Sequence, residues 1–412
     1  MPAESCPAPG AGSDHPFAVA GTETWTAANS PHRVANGLSV AGTLTIEPCA
    51  TVLVDGQISV SGLLIAEGVS DRPIVFDALD AQKKWSGILI EQDSGGFARF
   101  AYAAIRNAGL EANPNVLGAI DARGKSDAPL LPRLKVDHVT ISGAGKYGVV
   151  VRDGALFSAD SQALTITGGA SFPILADATL AGSVPAGTYT GNATDQILLD
   201  CDRQIIADLT LRDRGVPYRL GDGAQAGNDL VVGVSGPTPV RAVLTVEAGV
   251  TIRAHAAGRI RMAKDAAGPN AVGALVVAGT AAKRVIFSSA AATPAAGDWR
   301  GLVFEAPDAT NAITYARVEF AGGASAANGF HCEANGAFGE DEDAAIALYG
   351  EPSSSFITNT EIVSSAGDGI GRAWSGAPTD FLATNTFTSV AECNQSFPRD
   401  ANGACPANSP CR

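Results

Sequence analysis

Asp137-His138, followed fifteen residues later by Arg152-Asp153, brings a histidine, two carboxylates and a guanidinium close together in the sequence. Few other places in the chain do so. An imidazole beside a carboxylate can relay a proton, and two carboxylates at a set separation can divide the work of acid and base. Glu340, Asp341, Glu342 and Asp343 form an acidic run that could offer oxygens to Ca²⁺. That run lacks the alternating ligand positions and the glycine of a calcium loop, so a solvated loop is the favoured reading. Trp85, Trp299, Tyr102 and Tyr315 could line a sugar-binding stripe. Their recurrence at matching places in the two halves of the chain favours packing instead. No phosphate-cradling glycine pattern and no Ser-His-Asp or Cys-His arrangement can be assembled. The sequence therefore assigns no catalytic, cofactor-binding or metal-ligating residue, and Asp137, His138, Arg152 and Asp153 read as corner residues.

Seven cysteines occur, Cys6, Cys49, Cys201, Cys332, Cys393, Cys405 and Cys411, with no CxxC pair for zinc. Three fall in the last twenty residues among Pro and Asn, which predicts disulfides pinning the C-terminus and an oxidising compartment. An odd number leaves one thiol over. Cys49 is the expected free one, because it occupies a corner filled by Gly249 in a second copy of the same phrase. The net charge of −14 opposes binding to nucleic acid or to an anionic membrane surface. A solvated acidic surface is the plain explanation, and a Ca²⁺-dependent or cationic partner the sharper one. No apolar run is long enough to span a bilayer. The opening MPAESCPAPG lacks the apolar core of a leader, so the expectation is a secreted or envelope chain whose leader has been removed. Cys6 as a lipid-bearing residue is the poorer reading, since PAES does not resemble a lipobox.

The elements that must position these residues are written in repeats. LTIEPCATV (Leu44 to Val52) recurs as LTVEAGVTI (Leu244 to Ile252), 200 residues on. Each is a strand, a tight corner and another β-branched strand. WSGILI recurs as WRGLVF, matching Trp85, Gly87 and Ile88 with Trp299, Gly301 and Leu302. Tyr102, Ile105 and Gly109 match Tyr315, Val318 and Gly322. Within the halves, Val139 to Gly143 recurs as Leu164 to Gly168, and Thr358-Asn359-Thr360 as Thr384-Asn385-Thr386. Triplets such as Val52-Leu53-Val54 and Ile58-Ser59-Val60 are too short for hairpin sheets. Stacked coil on coil, at 20 to 26 residues per coil, they build parallel sheets with inward columns.

These phrases resemble the right-handed parallel β-helix proteins, the group that includes pectate lyases and many secreted bacterial surface proteins. The carriers are LTIEPCATV and LTVEAGVTI, SGLLIAEGVSDRPIVF and VGALVVAGTAAKRVIF, and WSGILI and WRGLVF. The resemblance implies an all-β, right-handed parallel β-helix solenoid of two duplicated halves with a disulfide-tied cap. Expected boundaries are a flexible lead-in over 1–24, a first half over 25–207, a second half over 208–390 and a Cys-rich cap over 391–412. Asn359 and Asn385 are expected to stack as an amide ladder, as in such proteins.

The resemblance does not select an activity, because the same scaffold serves lyases, hydrolases, adhesins and structural proteins. A lyase of this kind would gather carboxylates on Ca²⁺ beside an Arg or Lys base, and a hydrolase would cluster Asp with His on one face. Neither motif is compact here. The expectation is thus a monomeric structural or binding protein for carbohydrate or another surface protein, with no cofactor. A polysaccharide lyase or glycoside hydrolase is the alternative, and an adhesin polymerising end to end is a third.

Overall fold

A computed structural model describes residues 6–8, 10–110, 115–125, 130–224, 226–325, 332 and 343–405. The protein is all-β, with long parallel sheets and only two short 3₁₀ helices among these residues. The chain forms two compact units, Met1–Ile197 with Arg214–Val216, and Leu198–Asp213 with Pro217–Arg412.

In the first unit the early circuits each lay down three strands, and through Leu63–Glu67 each strand pairs in parallel with the third strand after it. One face stacks Thr22–Trp25, Thr43–Ile46 and Leu63–Glu67. A second stacks Ser13–Asp14, His32–Val34, Thr51–Val54 and Ile74–Ala78. A third runs from Ala18–Val19 through Leu38–Val40, Gln57–Val60, Gly87–Ile90, Gly118–Arg123 and Tyr147–Arg152 to Ile174–Asp177. This is the curled, coil-on-coil pattern of a parallel β-helix-like solenoid. Paired strands begin at Ser13, inside the stretch expected to be a lead-in.

The period-2 alternation of the triplets sends one set of side chains inward. Leu38, Ile58, Ile88, Ile120, Val149 and Ile174 are consecutive partners across the third face, and all are buried. Each such side chain contributes about 1.5–3 kcal/mol by leaving water. Two long strands, Phe97–Arg106 and Leu131–Ser142, run over both other faces and bend midway. The bends fall at Tyr102 (φ 42°) and His138 (φ 53°), which face each other between the paired Ala101–Asp137 and Ala103–Val139. The next coil bends at Ala163 (φ 50°).

The second unit repeats the three-strand circuit. Its faces stack Ala242–Glu247 on Gly273–Ala278, Thr251–Ala254 on Val285–Ser289, and Arg259–Met262 on Gly301–Phe304. Tyr315 (φ 49°) and Asn359 (φ 52°) occupy its left-handed bends. Coil length is less uniform than the sequence predicts. Thr43 pairs with Leu63 and Val139 with Leu164, within the expected 20 to 26 residues, but Ala98 pairs with Leu134 and Ile313 with Ile357. The additional residues fall between paired strands, and the inward columns continue past them.

The thiol expectation is overturned. Cys49 is bonded to Cys6, and among the described residues the free cysteine is Cys201, which is buried. The Cys49 corner is left-handed (φ 75°), like Gly249 (φ 89°), and the half-buried Cys49 side chain meets Cys6 while Ala50 turns inward. Burial pushes the Cys201 thiol well above its usual pKa. Cys332 is bonded to Cys405, so the tail is stapled to the long insertion before it, and Cys393 is disulfide-bonded too. Cys411 lies outside the described residues. These bonds indicate an oxidising, extracellular type of environment. Among the described residues no helix is long and apolar enough to cross a membrane.

Candidate functional site

Asp137-His138 and Arg152-Asp153 do not come together. The first pair lies at the bend of Leu131–Ser142, and Arg152 ends Tyr147–Arg152 on a different face. His138 Nδ1 meets Asp137 Oδ1 at 2.7 Å, and its ring stacks on Tyr102 with centroids 4.7 Å apart. Gln162 Nε2 donates to Asp137 at 3.0 Å from the next coil. Here His138 holds a corner. Asp153 accepts nothing from His138; its backbone N–H donates to Asp177 Oδ2 at 2.8 Å.

Arg152 belongs to a buried cluster that the sequence did not single out. Asp121 is fully buried, and both Arg152 (3.1 Å) and Arg123 (2.9 Å) donate to its Oδ2. The Leu117 backbone N–H adds a third donor at 3.1 Å. Arg123 also donates to the Asn115 carbonyl, tying the loop before Gly118–Arg123 across the sheet. The carboxylate is thus neutralised and saturated, which suits a strut rather than a proton shuttle.

Trp85 and Trp299 are core anchors, each 1% exposed. Their indole N–H groups donate to Arg106 O (2.8 Å) and Glu319 O (2.9 Å), equivalent positions one coil on. The following Gly87 (φ 106°) and Gly301 (φ 93°) face carbonyls that a Cβ would strike at 2.6 and 2.3 Å, which explains the Trp-x-Gly phrase. Tyr315 lies under Arg284, 5.6 Å from its ring centroid, so neither tyrosine forms an open stripe.

The amide ladder is absent as well. The register pairs Glu361 with Thr386, one residue off the sequence repeat, so Asn385 lies inside while Asn359 is exposed. A one-residue slip reverses the facing of every side chain. Asn385 accepts from the Thr360 N–H at 2.8 Å and donates to Ile357 and Phe381 carbonyls, capping the coil internally. Of the acidic run, Glu340, Asp341 and Glu342 lie outside the described residues. Asp343 accepts a backbone N–H from Ser325.

A cavity of about 110 Å³ opens at a corner of the first unit, lined by Asp93, Ser94, Gly124, Lys125, Arg133 and their neighbours. Arg133 is only 8% exposed, yet among the described residues it donates one hydrogen bond, from Nη1 to the Gly96 carbonyl at 3.1 Å. Its Nε is buried with no hydrogen-bond partner. Lys125 is exposed and makes no ion pair among the described residues. Asp93, held at a left-handed corner (φ 58°), is exposed, and none of its bonds reaches Arg133. Leu131 on the lining and Leu130 beside it are 47% and 38% exposed, an apolar rim. No family model, curated protein or solved structure matches this chain. The arrangement is thus read on its own chemistry: donors of two cations, one of them buried, facing a space of ligand-group size.

Sequence reasoning missed Arg133. The available signal was Leu130-Leu131-Pro132-Arg133-Leu134, where an arginine interrupts an apolar run next to an inward position. The His15–His32 contact was missed too. His32 Nε2 donates to the Thr26 carbonyl (2.9 Å), so its Nδ1 must accept from His15 Nε2 (2.8 Å), and His15 stacks on Trp25. Burial lowers the pKa of both rings, and each histidine's neighbourhood favours the neutral form.

Proposed function

We propose that this chain is a secreted or cell-envelope parallel β-helix that works as a binding or structural scaffold for carbohydrate or another surface protein. The observation that carries this reading is where its carboxylates are spent. Glu67 is held by Arg99 of a later coil at 2.7 Å, Asp229 by Arg259 at 2.9 Å and Glu305 by Arg261 at 2.6 Å. Glu361 is shared by Arg317 (3.0 Å) and Arg284 (3.2 Å), and Asp121 by two arginines. Carboxylates held by guanidiniums tie coil to coil and are poor general acids or bases.

We further assign the winding as right-handed, on the general preference of parallel crossovers, and the two halves as products of one duplicated segment. The matched indole bonds of Trp85 and Trp299, the left-handed Tyr102 and Tyr315, and the left-handed Cys49 and Gly249 support the duplication.

Incubation with neutral and acidic polysaccharides, followed for unsaturated products and new reducing ends, tests the scaffold reading. Retention on a glycan array without turnover is expected. Reproducible product release would replace this reading with a polysaccharide lyase or hydrolase.

A further inference from the structure

We infer that the corner cavity of the first unit is an oxyanion-binding subsite, in which Arg133 and Lys125 grip a sulfate or carboxylate group. Three observations converge on it. The first is the state of Arg133, a buried side chain that, among the described residues, donates to one neutral carbonyl and to no carboxylate, with its Nε unpartnered. Among the described residues the other buried arginine, Arg372, donates to the Ser396 and Thr379 carbonyls, and the partly exposed Arg152 pairs with Asp121. A buried charge with unused donors is costly to keep, and an arriving anion removes that cost.

The second is size. Room for a water takes roughly 10–15 Å³ by the same measure, so about 110 Å³ accommodates the several heavy atoms of a sulfate or carboxylate group. The third is the local charge. Among the described lining residues, two cations face the cavity against one exposed carboxylate, Asp93, in a chain whose net charge is −14. The backbone donors nearby are already engaged: Gly124 N–H with the Arg152 carbonyl, Asp93 N–H with the Gly124 carbonyl, and Leu131 N–H with the Gly154 carbonyl. The grip therefore falls to the side chains. A planar fork suits two oxygens of either group, and the ammonium adds a point charge at the mouth.

Leu130 and Leu131 at the rim leave the mouth apolar enough for the carbon skeleton that carries the anion. This inference rests on the scaffold reading for its carbohydrate ligand, yet the site itself is testable without it. Titration calorimetry at constant ionic strength would use sodium sulfate and sodium acetate against chloride. Parallel titrations would use sulfated, uronate-containing and neutral oligosaccharides. The comparison set is wild type, Arg133→Met, Arg133→Lys and Lys125→Ala.

Wild type should bind at least one oxyanion probe. Arg133→Met should weaken it about tenfold or more, Arg133→Lys less, and Lys125→Ala about threefold. Saturation by the free ion marks a small-ion site, whereas binding seen only with the anionic oligosaccharides marks a glycan substituent. Arg133→Met removes an unpaired buried charge and should melt no lower than wild type, so lost binding is not lost folding. The inference is overturned if no oxyanion probe binds wild type, or if Arg133→Met binds within twofold of it. Retention of neutral glycans alongside that result would leave the scaffold reading standing and remove this site alone.

Discussion

Asp121 and Arg133 lie in the same unit, both buried, and the fold treats them in opposite ways. Around Asp121 the charges close on themselves: two guanidiniums and a backbone N–H converge on one carboxylate. At Arg133 the circle is left open among the described residues, with one carbonyl accepting from Nη1 and Nε idle. A closed buried cluster is part of the stack, and removing one member exposes the others to an uncompensated cost. An open one costs stability in the resting protein, which makes sense where something else completes it. The difference separates charges that hold this solenoid together from charges available to a ligand.

The largest effect should come from breaking the closed cluster. Asp121→Asn leaves Arg123 and Arg152 side by side without their counter-charge. The two are 18% and 28% exposed, so water screens part of the repulsion. A local loss of about 3 kcal/mol is expected, the lower end for a broken buried pair. Hydrogen exchange across Gly118–Arg123 and Tyr147–Arg152 should speed up accordingly. Arg133→Met should leave exchange in Leu131–Ser142 unchanged or slower. If both substitutions destabilise equally, the contrast between closed and open charge is wrong.

Arg372 provides an intermediate case. Burial pushes its pKa down to about 10, so it stays charged at neutral pH. It has no carboxylate in contact, but the carbonyls of Ser396 and Thr379 and the ring of Phe397 accept it. Arg372→Met strips hydrogen bonds from the tail, and a cost of about 2 kcal/mol follows for acceptors left dry. Limited proteolysis should cut near residues 393–405 faster than in wild type, with no effect on oxyanion binding in the first unit.

Much of this scaffold was legible in the sequence. The strand-corner-strand phrases, their recurrence and the Trp-x-Gly corners depend on local side-chain type, and the columns they predict are present. What failed depended on facing or on distant partners. Asn359 and Asn385 look equivalent until the register moves one of them to the opposite side. Cys49 looks buried because Gly249 has no side chain to orient, and only the left-handed turn reveals where Cys49 points. Asp137 and Arg152 are neighbours in sequence but belong to different faces. Arg133 is ordinary as a letter, and its isolation exists only after the coils have stacked.

The histidine pair offers a charge that can be switched into a closed contact. Neutral His32 accepts from His15 and donates to Thr26, so a proton on His32 Nδ1 breaks the contact. Both folded-state pKa values lie below 6.5, through burial first, and for His15 through His32 second. Above pH 6.5 both rings are neutral whether folded or not, and the contact's stabilisation is complete. As pH falls below 6.5 the unfolded chain takes up protons first, and stability drains until the folded pKa is reached. Exchange protection factors in Ser13–Asp14 and His32–Val34, corrected for the intrinsic pH dependence of amide exchange, should therefore be lower at pH 5 than at pH 7. His32→Gln should flatten that dependence.

The smallest effect tests whether stability alone can imitate ligand binding. Ala163 takes a left-handed φ of 50° in the same column as Tyr102 and His138, a conformation strained for any residue with a Cβ. Ala163→Gly relieves that strain but frees the unfolded chain, and the two terms oppose each other. A net gain of a few tenths to about 1 kcal/mol is expected, read as a slightly raised midpoint in thermal unfolding. Oxyanion affinity should not move, because Arg133 keeps its position and its unused donors. If Ala163→Gly changed that affinity as strongly as Arg133→Met, general rigidity rather than an open guanidinium would explain the binding. Asp121 and Arg133 would then differ only in degree.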